Sequence, residues 1–114
     1  MVETNSKILT PLQAREFIKQ NHKLIIKQEF IILDVRTPEE YNKQHLPYSI
    51  NIDFHSPNFQ EQIAQFDRNK TYLVHCRSGG RSTKTIELMT KLHFRYLYNV
   101  QGFLFPETVY SKCD

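Results

Sequence analysis

The fold is decided by the segment YLVHCRSGGRS at residues 72–82. Its first four residues are mostly apolar, which is typical of a buried β-strand that ends at Cys76. The two glycines at 79 and 80 predict a tight loop, and the spacing of apolar residues after Ser82 predicts a helix. A strand that passes through a short loop into a helix indicates an α/β sheet.

The same alternation of strands and helices extends along the chain. Residues 30–33 (FIIL) form a second continuous apolar run, and residues 49–52 and 96–98 are weaker strand candidates. Strands that alternate with helices at this spacing favour a mostly parallel sheet covered on both faces. We therefore predict a three-layer α/β/α domain.

Three helix starts are predicted from Ser or Thr followed by Pro, at Thr10, Thr37 and Ser56. The two threonines fit a capping box, because Gln or Glu follows three residues later and proline occupies the first helical position. Ser56 has no such reciprocal partner. Apolar residues then recur at helical spacing: Ala14, Phe17 and Ile18 after the first start, Phe59, Ile63 and Phe66 after the third, and Ile86, Met89 and His93 after Ser82.

Length and composition narrow the class of protein. The 114 residues suit one domain, which we place at residues 8–114 after an N-terminal tail at residues 1–7. No apolar stretch approaches the roughly 20 residues of a membrane span, and the first residues lack a secretory signal, so we expect a cytoplasmic protein and no membrane partner. The net charge of +3 comes from scattered lysines, which does not favour nucleic-acid binding.

The loop after the predicted strand at residues 72–75 carries the candidate chemistry. Its glycines allow successive backbone N–H groups to face inward as an anion-binding nest, and the following helix adds unpaired donors and a positive partial charge. Arg77 and Arg81 add two permanent charges. A thiol at Cys76 in such a nest should shift toward the nucleophilic thiolate, and the nest should also bind an anionic substrate. The alternative is that Cys76 is an inert buried cysteine.

Other polar residues have structural interpretations. We expect Asp34 and Arg36, joined by Glu40, to fix loop geometry, and His75 to be a hydrogen-bonded core histidine. The second cysteine, Cys113, has none of the features of Cys76 and is interpreted as incidental. The histidines and cysteines lack the spacing of metal ligands, so no metal site is expected.

Four segments then carry a family resemblance, in chain order: ILDVRTPEEY (32–41), HLP with INI (45–47 and 50–52), HCRSGGRS (75–82) and VQG (100–102). They resemble the L-D-V-R-x-x-x-E-[YF], G-H-I-P-G-A-x-N-I, C-R-S-G-x-R-S and V-x-G-G motifs of single-domain rhodanese-type sulfurtransferases.

The resemblance implies a rhodanese-like domain and a mechanism. Cys76 would attack the sulfane sulfur of a small anionic donor, thiosulfate or a persulfide, and pass it from an enzyme persulfide to cyanide, a small thiol or a protein thiol. No cofactor is implied. The substrate-binding residues would be the remainder of the loop, with the arginines attracting the donor: Arg77, Ser78, Gly79, Gly80, Arg81 and Ser82.

The chain departs from the family motifs outside the loop. Gln44 and Tyr48 stand where the family usually has glycine, and Phe103 replaces the second glycine after Val100. These positions shape turns and the rim of the site, so they bear on donor or acceptor preference.

Two other functions remain open. Cysteine phosphatases and the related arsenate reductases share an H-C-x5-R-[ST] loop, but only four residues separate Cys76 from Arg81, which makes a narrower ring. A non-catalytic rhodanese-like module that binds partner proteins is the other alternative, although such modules often lose the cysteine that this chain retains.

Overall fold

The computed structural model describes residues 3–105 of the chain. The strands are β1 (Asn5–Leu9), β2 (Phe30–Asp34), β3 (Ile50–Asn51), β4 (Thr71–His75) and β5 (Tyr96–Val100). The helices are α1 (Pro11–Gln20), α2 (His22–Ile26), α3 (Pro38–Lys43), α4 (Phe59–Ala64) and α5 (Gly80–Lys91). All five strands are parallel and lie in the order β1-β5-β4-β2-β3. Within the described part of the chain, no helix is both long and apolar enough to span a bilayer.

The sheet separates two apolar cores, because successive side chains of a strand point to opposite faces. One core contains Ile31 and Leu33 of β2 together with residues of α4 and α5. The other contains Phe30 and Ile32 of the same strand together with residues of α1 and α2. Helices therefore cover both faces of a parallel sheet, which confirms the predicted three-layer α/β fold.

The first two predicted helix starts are confirmed with their capping boxes. The Gln13 amide donates to the Thr10 hydroxyl at 3.1 Å, and the Glu40 amide donates to the Thr37 hydroxyl at 3.2 Å. In both boxes the side chain three residues after the threonine accepts from the backbone N–H of the threonine, so two otherwise unpaired donors are satisfied.

The third predicted helix start is wrong. Helix α4 begins at Phe59 with Asn58 as its N-cap, and no side chain caps it. The hydroxyl of Ser56 bonds to the Asn58 side chain instead of a helix amide. Two residues that the apolar spacing placed in helices lie beyond their ends. Phe66 follows α4, and His93 follows α5 with a left-handed φ of 66°.

The predicted tail is wrong from Asn5 onward, because residues 5–7 belong to β1 and pair with β5 in parallel register. β1 is an edge strand, and its first four side chains are exposed. It therefore lacks the apolar run that marks β2 and β4. The short helix α2 was also not predicted.

Candidate active site

The loop at residues 76–82, named the nucleophile loop after the role predicted for Cys76, lies at the middle of the carboxyl edge of the sheet. β4 is flanked by β5 and β2, so the residues after it meet the segments that follow both neighbours. Cys76 comes directly after β4, and Gly80 opens α5. In parallel α/β sheets this edge, outside the carboxyl ends of the strands, is where ligands bind.

The sulfur of Cys76 accepts hydrogen bonds from the loop backbone. The amide of Gly79 lies 3.1 Å from Sγ and the amide of Ser82 lies 3.3 Å from it. The residue is only 1% exposed. Burial raises the pKa of the thiol, but the hydrogen bonds that Ser82 and Gly79 donate outweigh this effect, and the pKa of Cys76 is lowered. The buried sulfur is thus surrounded by donors that favour its ionised form.

The two glycines of the loop are not equivalent. Gly79 is the N-cap of α5 and has a left-handed φ of 104°, a conformation that residues with a Cβ rarely adopt. Gly80 does not have a positive φ, is exposed, and has open space where a Cβ would lie. The interpretation that both glycines shape the loop is therefore wrong for Gly80.

Ser82 links the loop to the neighbouring strand. Its buried hydroxyl donates to Oδ1 of Asn99 on β5 at 2.7 Å, and Nδ2 of Asn99 donates to the Thr83 hydroxyl at 3.0 Å. This network holds the first turn of α5 against β5. Asn99 was not among the predicted site residues, although an asparagine within the apolar strand YLYNV is a signal that could have identified it.

Arg81 is held by an acidic residue from α3. Its guanidinium contacts both carboxylate oxygens of Glu40, at 2.9 and 3.3 Å. The hydrogen bond from Arg81 lowers the pKa of Glu40 to about 2, and the same bond raises the pKa of Arg81. The expectation that Glu40 joins Asp34 and Arg36 is therefore wrong, because its ion-pair partner is Arg81.

The remaining loop residues face solvent. Arg77 and Ser78 are both exposed. The guanidinium carbon of Arg77 lies 5.0 Å from the centre of the Phe103 ring, in a cation–π contact. Phe103 therefore lies beside the loop, which agrees with the sequence-based expectation that this position shapes the rim of the site.

Beneath the loop, Asp34 and Arg36 form a buried ion pair. Nη2 of Arg36 lies 2.7 Å from Oδ2 of Asp34, and the same nitrogen donates to the carbonyl of Gln44 at 2.6 Å. The pair therefore ties the end of β2 to the end of α3, which is a structural role of the predicted kind.

Gln44 and Tyr48, which stand before β3 where the family motif has glycine, differ in their backbone conformation. Gln44 has an extended φ of −168°, which any residue can adopt. Tyr48 has a φ of 67°, so a bulky residue occupies a left-handed position there. The absent glycine matters at Tyr48 and not at Gln44.

His75 lies on the opposite face of β4 from Cys76 and is completely buried. Its Nε2 is 3.6 Å from Oδ2 of Asp34, and neither ring nitrogen has a hydrogen-bond partner within residues 3–105. Burial lowers its pKa to about 4. The prediction of a core position is confirmed, but the predicted hydrogen bonding is wrong for the described residues.

Two further predictions concern metals and the second cysteine. Among the residues described, no three His, Cys, Asp or Glu side chains come together as a group that could hold a metal ion. Cys113 lies outside the described residues, so its interpretation as incidental stays a prediction.

These features define an α/β protein whose buried cysteine follows a parallel strand and accepts hydrogen bonds from the amides of the next loop. The family model for the Rhodanese-like domain matches residues 17–105. The chain belongs to the rhodanese-like domain family.

Relatives of known sequence and structure agree with this assignment. The chain is 30% identical to thiosulfate sulfurtransferase PspE of Escherichia coli over 70 residues, which cover 61% of this chain and 67% of the relative. It is 29% identical to thiosulfate sulfurtransferase GlpE of Pseudomonas syringae, with 87% and 84% covered. The crystal structure of a rhodanese-related protein from Thermoplasma volcanium superposes with a TM-score of 0.67 at 26% identity, with 86% of each chain covered.

Proposed function

We propose that the protein is a cytoplasmic sulfurtransferase that carries a sulfane sulfur as a persulfide on Cys76. The observation that supports this proposal most directly is the pair of backbone amides, from Gly79 and Ser82, that donate to the Cys76 sulfur at 3.1 and 3.3 Å. Donors aimed at one sulfur favour a thiolate before the reaction. The same loop would stabilise the negative charge of a persulfide after it. The names of the relatives PspE and GlpE agree with this reaction class.

The first step is a displacement at sulfur. The Cys76 thiolate attacks the outer sulfur of thiosulfate, an S–S bond forms to Sγ, and the S–S bond of the donor breaks. Sulfite leaves with the electron pair of that bond. The enzyme then holds Cys76 as a persulfide anion, so the total charge is unchanged. A persulfide donor reacts in the same way and releases a thiolate.

The second step regenerates the enzyme. Cyanide attacks the terminal sulfur of the persulfide, thiocyanate leaves, and the electron pair of the broken S–S bond returns to Cys76 as thiolate. A small thiol or a protein thiol accepts the same sulfur in place of cyanide. Neither displacement consumes a cofactor.

The loop residues have separate roles in this proposal. The amides of Gly79 and Ser82 hold the charged sulfur, while Arg77 attracts the anionic donor from its exposed position. Arg81 contributes mainly through its ion pair with Glu40, which fixes the first turn of α5. Ser78 and Gly80 line the exposed side of the loop.

Intact-mass measurement tests the proposal. Incubation with thiosulfate should add the mass of one sulfur atom to the protein, and subsequent cyanide should remove it with release of thiocyanate. Cys76→Ser should abolish the adduct, whereas the matched variant Cys113→Ser should keep it. An adduct that survives Cys76→Ser, or no adduct with thiosulfate or any persulfide donor, would contradict the proposal. Hydrolysis of an aryl phosphate by the purified protein would favour the phosphatase alternative instead.

A further inference from the structure

The two arginines of the nucleophile loop differ in how their charges are compensated. Both Nη atoms of Arg81 contact the carboxylate of Glu40, so its charge is largely neutralised before a donor arrives. Arg77 is exposed, and no acidic side chain in residues 3–105 lies within salt-bridge distance of it. Recognition of an anionic donor at this loop therefore depends mainly on the backbone amides and on Arg77.

An exposed arginine is normally mobile, but Arg77 has an aromatic surface beneath it. Its guanidinium carbon lies 5.0 Å from the centre of the Phe103 ring. That ring packs edge-on against Phe105, with 5.6 Å between centroids, and Phe105 is only 1% exposed. The aromatic surface is therefore fixed to the core, and it reduces the number of conformations open to the arginine.

The chain segment that carries Phe103 lies against the loop. A Cβ built on Gly79 would lie 3.5 Å from the Cα of Gln101, two residues before Phe103. Phe103 thus lies beside the loop that surrounds the Cys76 sulfur, without being part of it.

We propose that Phe103 is a positioning residue for donor recognition, which acts by holding the Arg77 guanidinium at the mouth of the nucleophile loop. The inference rests on the proposed sulfurtransferase function and extends it to the charge of the donor. An arginine held in place interacts more strongly with a dianion than with a monoanion, because the Coulomb energy scales with donor charge. Phe103 therefore favours a doubly charged donor such as thiosulfate.

Two donors that transfer the same sulfane sulfur test this idea. Thiosulfate is a dianion that releases sulfite, and methanethiosulfonate is a monoanion that releases methanesulfinate. The measured quantity is kcat/KM for each donor at fixed cyanide. Phe103→Leu should lower kcat/KM for thiosulfate about two- to fivefold, the range expected for an exposed cation–π contact. It should lower kcat/KM for methanethiosulfonate less, and kcat should change little for either donor.

Three control variants separate positioning from a structural role. Phe103→Tyr keeps the aromatic face and should retain the donor preference of the natural protein. Arg77→Ala should lower the preference for thiosulfate at least as much as Phe103→Leu. The double variant should match Arg77→Ala, because Phe103 has nothing left to position.

Equal losses for the two donors with Phe103→Leu would overturn the proposal. So would a loss of the same size when Phe103→Leu is added to Arg77→Ala. The unsubstituted protein distinguishes these failures from that of the proposed function. If neither of these donors loads Cys76 of the natural chain but a persulfide donor does, the role of Phe103 is wrong while the sulfurtransferase proposal stands. If no donor of either kind loads Cys76, the sulfurtransferase proposal itself is wrong.

Discussion

Alanine should destabilise the protein at Gly79 but not at Gly80. Gly79 has a φ of 104°, and the left-handed conformation costs a residue with a Cβ about 1–2 kcal/mol. A Cβ at Gly79 would meet the Cα of Gln101 at 3.5 Å, an ordinary contact, so the cost comes from the backbone and not from a clash. A Cβ at Gly80 would meet nothing within 4 Å. Because Gly80 is the first residue of α5, alanine there should be neutral or stabilise by up to about 1 kcal/mol.

Thermal and urea unfolding of the two variants measure this difference. For a domain of about 100 residues, 1 kcal/mol shifts Tm by about 4–8 °C, so a cost of about 1–2 kcal/mol in Gly79→Ala should lower Tm by about 4–16 °C. Gly80→Ala should leave Tm unchanged or raise it. The m-value should be the same in both variants, since neither changes the surface exposed on unfolding.

The same pair of variants tests the link between the loop and the thiolate. If the backbone of Gly79→Ala relaxes away from the left-handed conformation, the N–H at 3.1 Å from the Cys76 sulfur moves with it. A hydrogen bond to a charged group contributes about 1.5–3 kcal/mol, so its loss should raise the pKa of Cys76 by about one to two units. Ultraviolet titration of the thiolate, with the titration of Cys76→Ser subtracted, measures that pKa.

If Gly80→Ala were as destabilising as Gly79→Ala, the left-handed backbone of Gly79 would not be the source of the cost. If Gly79→Ala left both Tm and the thiolate titration unchanged, neither the strain at Gly79 nor its hydrogen bond to the Cys76 sulfur would have the assigned role. A drop in Tm without a change in the titration would mean that the loop keeps its conformation under strain and that the Gly79 amide still donates to the sulfur.

Two further predictions concern charge. Lowering of the Glu40 pKa from 4.5 to about 2 corresponds to roughly 3 kcal/mol, which partial exposure of the ion pair reduces to about 1 kcal/mol. Glu40→Gln, which can still form the capping box, should therefore lose about 1 kcal/mol at pH 7 in urea unfolding. The matched variant Glu39→Gln should lose less than half of that. The loss should vanish as pH falls from 4.5 toward 2, and a pH-independent loss would contradict the ion-pair explanation. His75 has a pKa lowered by burial from 6.5 to about 4, so the unfolded chain binds a proton that the folded chain does not. The free energy of unfolding should therefore not depend on His75 protonation above pH 6.5, and it should decrease by up to about 3 kcal/mol as pH falls from 6.5 to 4. Urea unfolding at a series of pH values measures this decrease. His75→Gln should reduce the slope of unfolding free energy against pH between 6.5 and 4, and an unchanged slope would contradict this assignment.

The central part of the fold could be predicted because its local signals agree. β2 and β4 are buried along nearly their whole length, so they appear in the sequence as apolar runs. Thr10 and Thr37 each carry a complete capping box within four residues, so no tertiary information was needed to predict α1 and α3. The edge strand β1 gave no such signal, because an exposed strand is held by backbone hydrogen bonds and not by apolar side chains.

The contacts of the candidate site that could be predicted are those between residues close together in the sequence. The amides that contact Cys76 come from residues three and six positions later, so the loop motif alone indicates them. The glycines look identical in sequence, yet only Gly79 has a left-handed φ, since that depends on where α5 begins.

The charge of the loop could not be read from its own residues. Arg77 and Arg81 suggest two free positive charges, but Glu40 lies 41 positions before Arg81 and reaches it only because α3 and α5 both start at the carboxyl edge of the sheet. The electrostatic field at the Cys76 sulfur is consequently closer to that of one arginine and the oriented amides than to that of two free arginines. Amides stabilise charge at short range and a guanidinium attracts it at longer range. Under the proposed function, the loop would therefore divide two tasks: its backbone would favour the thiolate and persulfide, and Arg77 with its aromatic support would favour the anionic donor.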